Sequence, residues 1–343
     1  MTDRMTRLMT KTLEDGLSCL RGRPTRIRAL RREFLPTSSS FRTERLLVSL
    51  DRGKPLRVFF KDLNPENQLE KARALRPFDL EAGHRELQMY QSILSPERFG
   101  TLHLYASRWE PERGRLWVFL EDGGRTLLHD YLYLARWIAA ARWAARFHAA
   151  TRNLPYAQTR FLSQHDGGHY GRCVERVERI LPNLDAPERA LVEQGVARLG
   201  DRMEWLSSLP QCVIHGQYFG ENIMWRREKA AQRIAVIDWE TAALGPGTFD
   251  LVSLSSGKWT KQQRQAMWTA YVEEYQIATG APVDREAFRR ELASVALHHA
   301  LEWLAWWGRH RALSKHFANF VRELRAVLDA TFAEAVAETL EVS

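Results

Sequence analysis

The chain has 343 residues, which is enough for one large domain or two modest ones. Hydrophobic residues make up 45% of the sequence and charged residues 27%, values that are typical of folded soluble proteins and exclude wholesale disorder. The formal net charge is +8, and charged residues interrupt every apolar stretch before it reaches the roughly 18 residues of a membrane-spanning helix, so we predict no membrane span.

Residues 1–34 are strongly basic, with nine Lys or Arg against four acids. Such an arm can contact nucleic acid, anionic lipid or an acidic partner protein. No aromatic residues are interleaved with the basic ones, which argues against nucleic acid. We expect a solvated, arginine-rich helix, and a partner protein remains the alternative.

The N-terminus and the cysteines indicate the compartment. The first twenty residues lack the apolar segment of a secretory signal. Cys19, Cys173 and Cys212 form no CxxC pair, so free thiols are expected rather than a disulfide framework or a zinc site. We therefore expect a cytoplasmic protein.

Hydrophobic periodicity and turn residues then predict a small β-rich part followed by a larger helical part. In chain order the pattern predicts a Pro- and Ser-rich loop at 35–41, strands at 45–50 and 56–63, a helix at 81–95, and strands near 101–110 and 115–122. Beyond these it predicts helices at 128–150 and 172–207, two short strands at 212–216 and 234–240 with NIMW (222–225) between them, and helices in the remainder. We divide the chain into a basic arm (1–34), an N-lobe (35–122) and a C-lobe (123–343), and a cleft between two such lobes is a common ligand site.

Polar residues follow two of the short strands. Gln217 and Asn222 follow the strand that ends in His215-Gly216, and Asp238 ends the strand Ala235-Val236-Ile237. At the ends of adjacent buried strands these side chains would project into the same cleft. An amide oxygen and a carboxylate there predict a Mg²⁺ site, because Mg²⁺ prefers oxygen ligands.

Lys61 lies inside the apolar strand LRVFFKDL, where an unpaired ammonium is costly. Glu86, on the following predicted helix, is well placed to pair with it. A Lys–Glu pair that faces a Mg²⁺-binding Asn and Asp is suited to phosphoryl transfer, a reaction that needs charge neutralisation and positioning more than covalent chemistry.

Three segments in this order, HGQYFGEN, VIDWE and GPGTFDL, together with FLEDGG ahead of them, resemble the aminoglycoside phosphotransferase/choline kinase family. The resemblance runs from about Leu35 to the C-terminal helices. It implies an α+β, bilobal protein-kinase-like fold with a small antiparallel-β N-lobe and a larger, mainly helical C-lobe. It also implies a kinase that uses ATP and Mg²⁺ and transfers phosphate to a hydroxyl group.

The resemblance also assigns roles to residues. Lys61 would hold the α- and β-phosphates of ATP and Glu86 would orient it, a Ser-rich loop would cover the phosphates, and the backbone at the end of the FLEDGG strand would meet the adenine. The nucleotide-contacting residues implied are Ser38, Ser39, Ser40, Lys61, Glu86, Glu121 and Gly123. Asn222 and Asp238 would coordinate Mg²⁺, His215 would brace the catalytic loop, and Asp250 would bind backbone.

Gln217 departs from the family pattern, because it occupies the position of the catalytic aspartate. A glutamine can accept a hydrogen bond from the substrate hydroxyl but cannot take its proton. Because the transition state is largely dissociative, loss of the base need not abolish transfer. We expect an atypical kinase in which Gln217 positions the acceptor or in which Glu221 or Glu240 replaces the base, and the alternative is a nucleotide-binding pseudokinase.

The acceptor side is less well indicated. The aromatic stretch 298–310, with His298, His299, Trp303, Trp306 and Trp307, is expected to be packed core, and the alternative is an aromatic wall for the acceptor. Small molecules, natural products and Ser/Thr residues of peptides remain open as acceptors. The spacing of His165 and His169 resembles half of a metal site, but we expect polar loop residues there or an acceptor-site loop.

Overall fold

The computed structural model describes residues 2–35, 40–41, 43–75, 79–228, 231–309 and 316–329. Ser38, Ser39 and His310 lie outside these ranges. The strands are β1 (Ile27–Leu35), β2 (Thr43–Leu50), β3 (Leu56–Asp62), β4 (Leu104–Glu110), β5 (Arg115–Glu121), β6 (Ser163–Gln164), β7 (Cys212–Ile214), β8 (Ile223–Glu228), β9 (Ala231–Val236) and β10 (Ala243–Gly245). The helices are α1 (Thr2–Arg21), α2 (Glu70–Leu75), α3 (Leu80–Ser92), α4 (Pro96–Phe99), α5 (Leu134–Thr151), α6 (Tyr156–Thr159), α7 (Gly167–Glu178), α8 (Ala186–Gly200), α9 (Met203–Ser208), α10 (Thr248–Ser255), α11 (Lys261–Thr279), α12 (Arg285–Gly308) and α13 (Phe317–Leu328).

The chain forms two compact units. The first unit combines Met1–Thr126 with Met224–Glu240, and the second combines Leu127–Ile223 with Thr241–Ser343. The first contains the larger antiparallel sheet and the second most of the helices. The predicted α+β fold, with a smaller antiparallel-β part and a larger helical part, is confirmed. The grouping differs from the predicted division at 122/123, because the β8–β9 segment belongs to the first unit.

The first unit is built on a five-stranded antiparallel sheet in the order β1-β2-β3-β5-β4. Apolar residues alternate along the central strands, so one face of the sheet is buried against helix α1. Phe60 and Phe119 lie side by side there, with ring centroids 4.8 Å apart. Lys61 is the second-last residue of β3, the central strand of the sheet, and pairs with Val118 on β5.

The basic segment 1–34 is not a separate arm. Its first part is α1, whose residues Met9, Leu13 and Leu17 follow helical spacing and are fully buried against the sheet. Its second part is β1, which pairs with β2 at the sheet edge. The expectation of a solvated helix is therefore wrong for one face of α1. Burial of each apolar side chain of this size contributes about 1.5–3 kcal/mol to the stability of the fold. Most of the basic side chains are exposed, whereas Arg21 and Arg32 are half-buried.

Gly16 allows α1 to pack closely on β4. A Cβ at this position would lie 2.2 Å from the carbonyl oxygen of Tyr105, closer than real Cβ contacts allow. We expect Gly16→Ala to lower the free energy of unfolding by about 1–3 kcal/mol, because the helix must shift away from the backbone of β4. Urea unfolding measures this.

Gly171→Ala is the matched control, since Gly171 also lies within a helix but a Cβ there meets no atom within 4 Å. We expect this change to stabilise the protein by roughly 0.5–1 kcal/mol, through helix propensity alone. Equal effects of the two substitutions would contradict the close-packing account.

The second unit is mainly helical. Helix α5 packs on α11, and the long helix α12 packs on α7, α8, α10 and α13. A three-stranded sheet in the order β6-β10-β7 lies in this unit. Residues 172–207, predicted as one or two helices, contribute to α7, α8 and α9. Among the described residues, no helix is both long and apolar enough to cross a membrane.

Glu291 on α12 is a partly buried carboxyl group whose pKa differs between the folded and the unfolded chain. Burial raises the pKa of Glu291 to about 6, although the Thr248 hydroxyl donates a 2.8 Å hydrogen bond to Oε1 and acts to lower it. The pKa in the folded state is above the ordinary value of 4.5. The stabilising contribution of the protonated group to the free energy of unfolding is therefore fully present below pH 4.5 and is lost as the pH rises through about 6.

We therefore expect Glu291→Gln to be more stable than the natural protein at neutral pH by about 1–2 kcal/mol, and to match it at low pH. The amide keeps an oxygen that accepts from Thr248 but carries no charge to desolvate. Unfolding curves at about pH 4.5 and pH 7.5 test this. If the two proteins differ in free energy of unfolding by the same amount at both pH values, the raised pKa of Glu291 is contradicted.

Candidate active site

Lys61 lies at the centre of an ion-pair network in the first unit. Its ammonium nitrogen is 2.8 and 3.1 Å from the two carboxylate oxygens of Glu86 and 2.8 Å from Oδ1 of Asp238. The side chains of Lys61 and Glu86 are 9% and 1% exposed, whereas that of Asp238 is 43% exposed. Glu86 therefore holds Lys61 from the protein interior, as the sequence suggested, and Asp238 closes the network on its exposed side.

The network carries an excess of negative charge. Burial acts to lower the pKa of Lys61, but the carboxylates of Asp238, Glu86 and Glu240 outweigh it and raise that pKa well above its ordinary value. Burial also raises the pKa of Glu86, although Lys61 acts to lower it. Lys61 is therefore a cation at neutral pH, and the surplus of carboxylates suits the site to a further cation.

The backbone around Asp238 is held in an unusual conformation. Its φ of 61° lies in the left-handed region, which residues other than glycine adopt rarely and which concentrates at functional sites. The next residue, Trp239, is fully buried, and its indole N–H donates to the Val236 carbonyl at 3.0 Å. Arg85 donates to the Glu240 carbonyl at 2.6 Å. These contacts fix the turn that presents the carboxylate.

Sequence reasoning missed Arg85. It precedes Glu86 on α3, and nothing in its spacing separates it from the many other arginines of the chain. Only its contact with the Glu240 carbonyl shows that it supports the Asp238 turn.

The predicted adenine segment lies at the end of β5. The backbone N–H of Glu121 donates to the His103 carbonyl at 2.8 Å, and its side chain forms an ion pair with Arg226. Gly123 packs so closely on Met224 that a Cβ would lie 2.5 Å from the methionine sulfur. The N–H of Glu121 is therefore already engaged within the first unit.

The predicted phosphate-covering loop connects β1 to β2. Ser38 and Ser39 lie outside the described residues. The carbonyl of Ser40 accepts a 2.9 Å hydrogen bond from Leu69, and Phe41 pairs with Gln68, so the end of the loop is tied to the segment before α2.

Gln217 and Asn222 belong to one tight loop of the second unit, between β7 and β8. The carbonyl of Gln217 accepts from the Phe219 N–H at 2.8 Å and from Nδ2 of Asn222 at 3.0 Å. This bond fixes the Asn222 amide through its N–H group and leaves the amide oxygen for another partner. Within the described part of the chain, the Gln217 side chain makes no hydrogen bond.

Asp250 anchors the start of this loop. Its fully buried carboxylate accepts from the backbone N–H groups of His215 at 2.7 Å and Gly216 at 3.0 Å, and from Nε2 of His148 at 3.1 Å. His215 in turn accepts from the Gln217 N–H at 3.2 Å through Nδ1. Asp250 thus binds backbone and His215 braces the loop, as the resemblance implied, whereas the contribution of His148 was not foreseen.

The expectation that Gln217 and Asp238 follow adjacent strands is wrong. The preceding strands belong to different sheets: β7 pairs with β10, and β9 pairs with β8. Their polar ends therefore cannot be placed together by strand adjacency. Each residue taken by itself offers an oxygen of the kind that Mg²⁺ prefers: Asp238 has a half-exposed carboxylate in the first unit, and Asn222 has an amide oxygen in the second.

The aromatic stretch of α12 is partly core and partly exposed. His298 and His299 are buried, as expected for core, whereas the three tryptophans are only half-buried. Trp303 packs edge-to-face on Phe219 of the Gln217–Asn222 loop, with ring centroids 5.1 Å apart. One side of this loop is therefore lined by aromatic surface.

His165 and His169 are not exposed loop residues. His165 is 5% exposed and donates its backbone N–H to the Leu244 carbonyl, and His169 lies in the first turn of α7. Burial lowers the pKa of His169 to about 4 and the pKa of His165 and His298 well below the ordinary value. All three imidazoles are therefore neutral at pH 7.

The sequence also matches a known family beyond the individual motifs. The family model described as "Phosphotransferase enzyme family" (APH) matches residues 84–292, more than half of the chain. The chain belongs to this family. The matched segment of this phosphotransferase family member contains Glu86, Gln217, Asn222 and Asp238, whereas Lys61 precedes it. The predicted resemblance is confirmed. The curated proteins contain no match to the chain.

Solved structures of similar fold include several kinases. The ethanolamine kinase of Plasmodium vivax is 12% identical, with a TM-score of 0.59, and the alignment covers 89% of this chain and 83% of that one. A microcompartment-associated aminopropanol kinase is 18% identical (TM-score 0.54, 90% of each chain). A spectinomycin phosphotransferase in complex with ADP and spectinomycin is 13% identical (TM-score 0.52, 92% and 94%). At these identities the likeness shows the fold.

Proposed function

We propose that the protein is an ATP- and Mg²⁺-dependent O-phosphotransferase, which transfers the γ-phosphate of ATP to a hydroxyl group of a small molecule, a natural product or a peptide. The observation that carries this proposal is the network of Lys61, Glu86 and Asp238, in a chain that belongs to a phosphotransferase family. A buried cation that is fixed by one carboxylate and flanked by a half-exposed second one suits the binding of polyphosphate and metal.

On the nucleotide side, Lys61 binds α- and β-phosphate oxygens while Glu86 keeps its ammonium in place. The backbone of Glu121, through its carbonyl, and of Gly123 receives the adenine. The loop that contains Ser38, Ser39 and Ser40 covers the phosphates.

Asp238 and Asn222 hold Mg²⁺ in this proposal. When bound, the ion neutralises charge on the phosphate oxygens. The left-handed turn at Asp238 and the hydrogen bond that fixes the Asn222 amide hold the two oxygen donors in defined orientations without the nucleotide.

Gln217 positions the acceptor. Its side-chain oxygen accepts a hydrogen bond from the substrate hydroxyl, whose oxygen forms the new bond to the γ-phosphorus as the bond to the ADP oxygen breaks. The hydroxyl proton leaves late, to a phosphate oxygen or to solvent, because the transition state is largely dissociative. The absence of a carboxylate at this position predicts slow turnover compared with an enzyme that has a general base.

The aromatic surface beside this loop favours an acceptor with an apolar or planar part. Trp303 and Phe219 supply that surface. The structural neighbours that are named kinases of ethanolamine and aminopropanol support a small hydroxyl compound as the acceptor.

A second function has one specific observation in its favour. Gln217 cannot act as a base, which suits a pseudokinase that binds nucleotide and acts through a partner protein. The exposed basic side chains of α1 and β1, among them Arg7, Lys11 and Arg31, form the surface for an acidic partner.

Transfer of labelled γ-phosphate from MgATP separates the two functions. We would present the full chain with separate panels of amino alcohols, aminocyclitols, other natural-product alcohols and Ser/Thr peptides. The kinase proposal predicts a phosphate ester with one class, and loss of that product in Asp238→Asn. MgATP binding without transfer to any class would favour the pseudokinase.

A further inference from the structure

A group of metal-binding side chains lies where α7 packs on α12, within the second unit. His169 comes from α7, and His298 and Glu302 lie one turn apart on α12. One ligand atom of each residue lies within 4.8 Å of those of the other two. Residues four apart share one face of a helix, so α12 presents both of its ligands on the same side.

Polar atoms in this group are buried without partners. Nε2 of His169 and Nε2 of His298 make no hydrogen bond to any described residue, although His298 is only 1% exposed. Nδ1 of His165 and the hydroxyl of Tyr170 beside them are in the same situation. Buried polar groups are normally satisfied, so several orphaned atoms in one place indicate a ligand that binds there.

Surrounding contacts orient these side chains. Arg176 donates to Oε1 of Glu302 at 3.2 Å and leaves the second carboxylate oxygen for another partner. The His165 ring stacks on that of His169, with centroids 3.8 Å apart, and Tyr170 packs edge-on against His298 at 4.8 Å. Such supporting contacts are typical around metal ligands and hold the rings in fixed orientations.

We propose that His169, His298 and Glu302 bind one Zn²⁺ ion that clamps α7 to α12. Two neutral imidazoles and one carboxylate form a ligand set that suits zinc, whereas Mg²⁺ prefers oxygen ligands alone. Zinc–ligand bonds of about 2.0–2.2 Å bring ligand atoms closer together than 4.8 Å, so the ion draws the two helices' side chains inward. The three ligands are all in the second unit, and none of them is a residue of the Lys61 network or Asn222.

Metal content and zinc affinity test the proposal on the full chain, purified without a histidine tag. We expect close to one zinc ion per chain, which a strong chelator removes. Adding Zn²⁺ to the metal-free protein should restore the bound ion and raise the Tm. Competition against a chromophoric chelator should give a dissociation constant below micromolar, with no restoration by millimolar Mg²⁺. Absence of both zinc retention and a Tm increase on adding Zn²⁺ would overturn the proposal.

Glu302→Gln tests the ligand set, because the amide preserves size and Glu302 is partly exposed, so the variant is expected to fold. We expect zinc affinity to fall by about 10²-fold or more. Glu175→Gln, on the solvent side of α7, is the matched control and should bind as the natural protein does. Equal affinity of Glu302→Gln and the natural protein would show that any bound zinc sits elsewhere.

Discussion

Lys61→Met is expected to lower kcat/KM for phosphoryl transfer by about 10³-fold or more, because in the proposed function it removes the cation that neutralises the phosphates. The substitution also leaves Glu86, which is 1% exposed, without its partner. Removing one partner of a buried ion pair costs about 3–5 kcal/mol of stability. Part of the loss in activity would therefore reflect unfolding, and stability must be measured to separate the two effects.

The double variant Lys61→Met/Glu86→Gln separates the two effects. Removing both charges leaves no buried, uncompensated carboxylate at position 86, so we expect most of the stability to return. Activity should stay as low as in Lys61→Met. Urea unfolding and phosphate transfer, measured on the same preparations, check this. If the double variant transfers phosphate as fast as the natural protein, Lys61 does not act on the nucleotide.

Gln217→Asp is expected to raise kcat by about 10²-fold, the lower end of what a positioned base contributes. The main chain of the loop is held by Asp250 and by the Asn222 amide, so the substitution changes the reacting group and leaves its supports intact. The gain in kcat should appear as the pH rises through the ionisation of the new carboxyl group, and the natural protein should lack that dependence.

Gln217→Ala is the control, because it removes the hydrogen-bond acceptor and adds no base. We expect it to be slower than the natural protein. If Gln217→Asp is no faster than the natural protein, the missing base does not limit this site. If the natural protein and Gln217→Asp both bind MgATP but neither transfers phosphate, the pseudokinase function explains the protein better.

The sequence predicted the Lys61–Glu86 pair because a lysine that follows Phe59 and Phe60 in an apolar strand requires a counter-charge, and Glu86 on the next predicted helix can supply it. It predicted the helical second unit because amphipathic periodicity is strong over long helices. These inferences depend on local pattern and on one requirement, the pairing of a buried charge.

The sequence did not predict that β1 belongs to the sheet. At an edge strand, arginines on the exposed face obscure the alternation that marks a half-buried strand, and Arg32 satisfies its charge with Glu44 on β2, a pairing that only the register shows. The grouping of β8 and β9 with the first unit is equally non-local. His169 and His298 are distant in sequence, so only the packing of α7 on α12 brings them together.

In the proposed function, the Asp238 site binds nucleotide together with a metal ion. Thermal unfolding of the full chain with and without MgATP tests this claim, beside Asp238→Ala and the control Asp201→Ala at an exposed residue. A ligand at about 100 times its dissociation constant adds roughly 2.7 kcal/mol of stability. We predict an increase in Tm that requires Mg²⁺, persists in Asp201→Ala and disappears in Asp238→Ala. No increase at millimolar MgATP in the natural protein would contradict the claim.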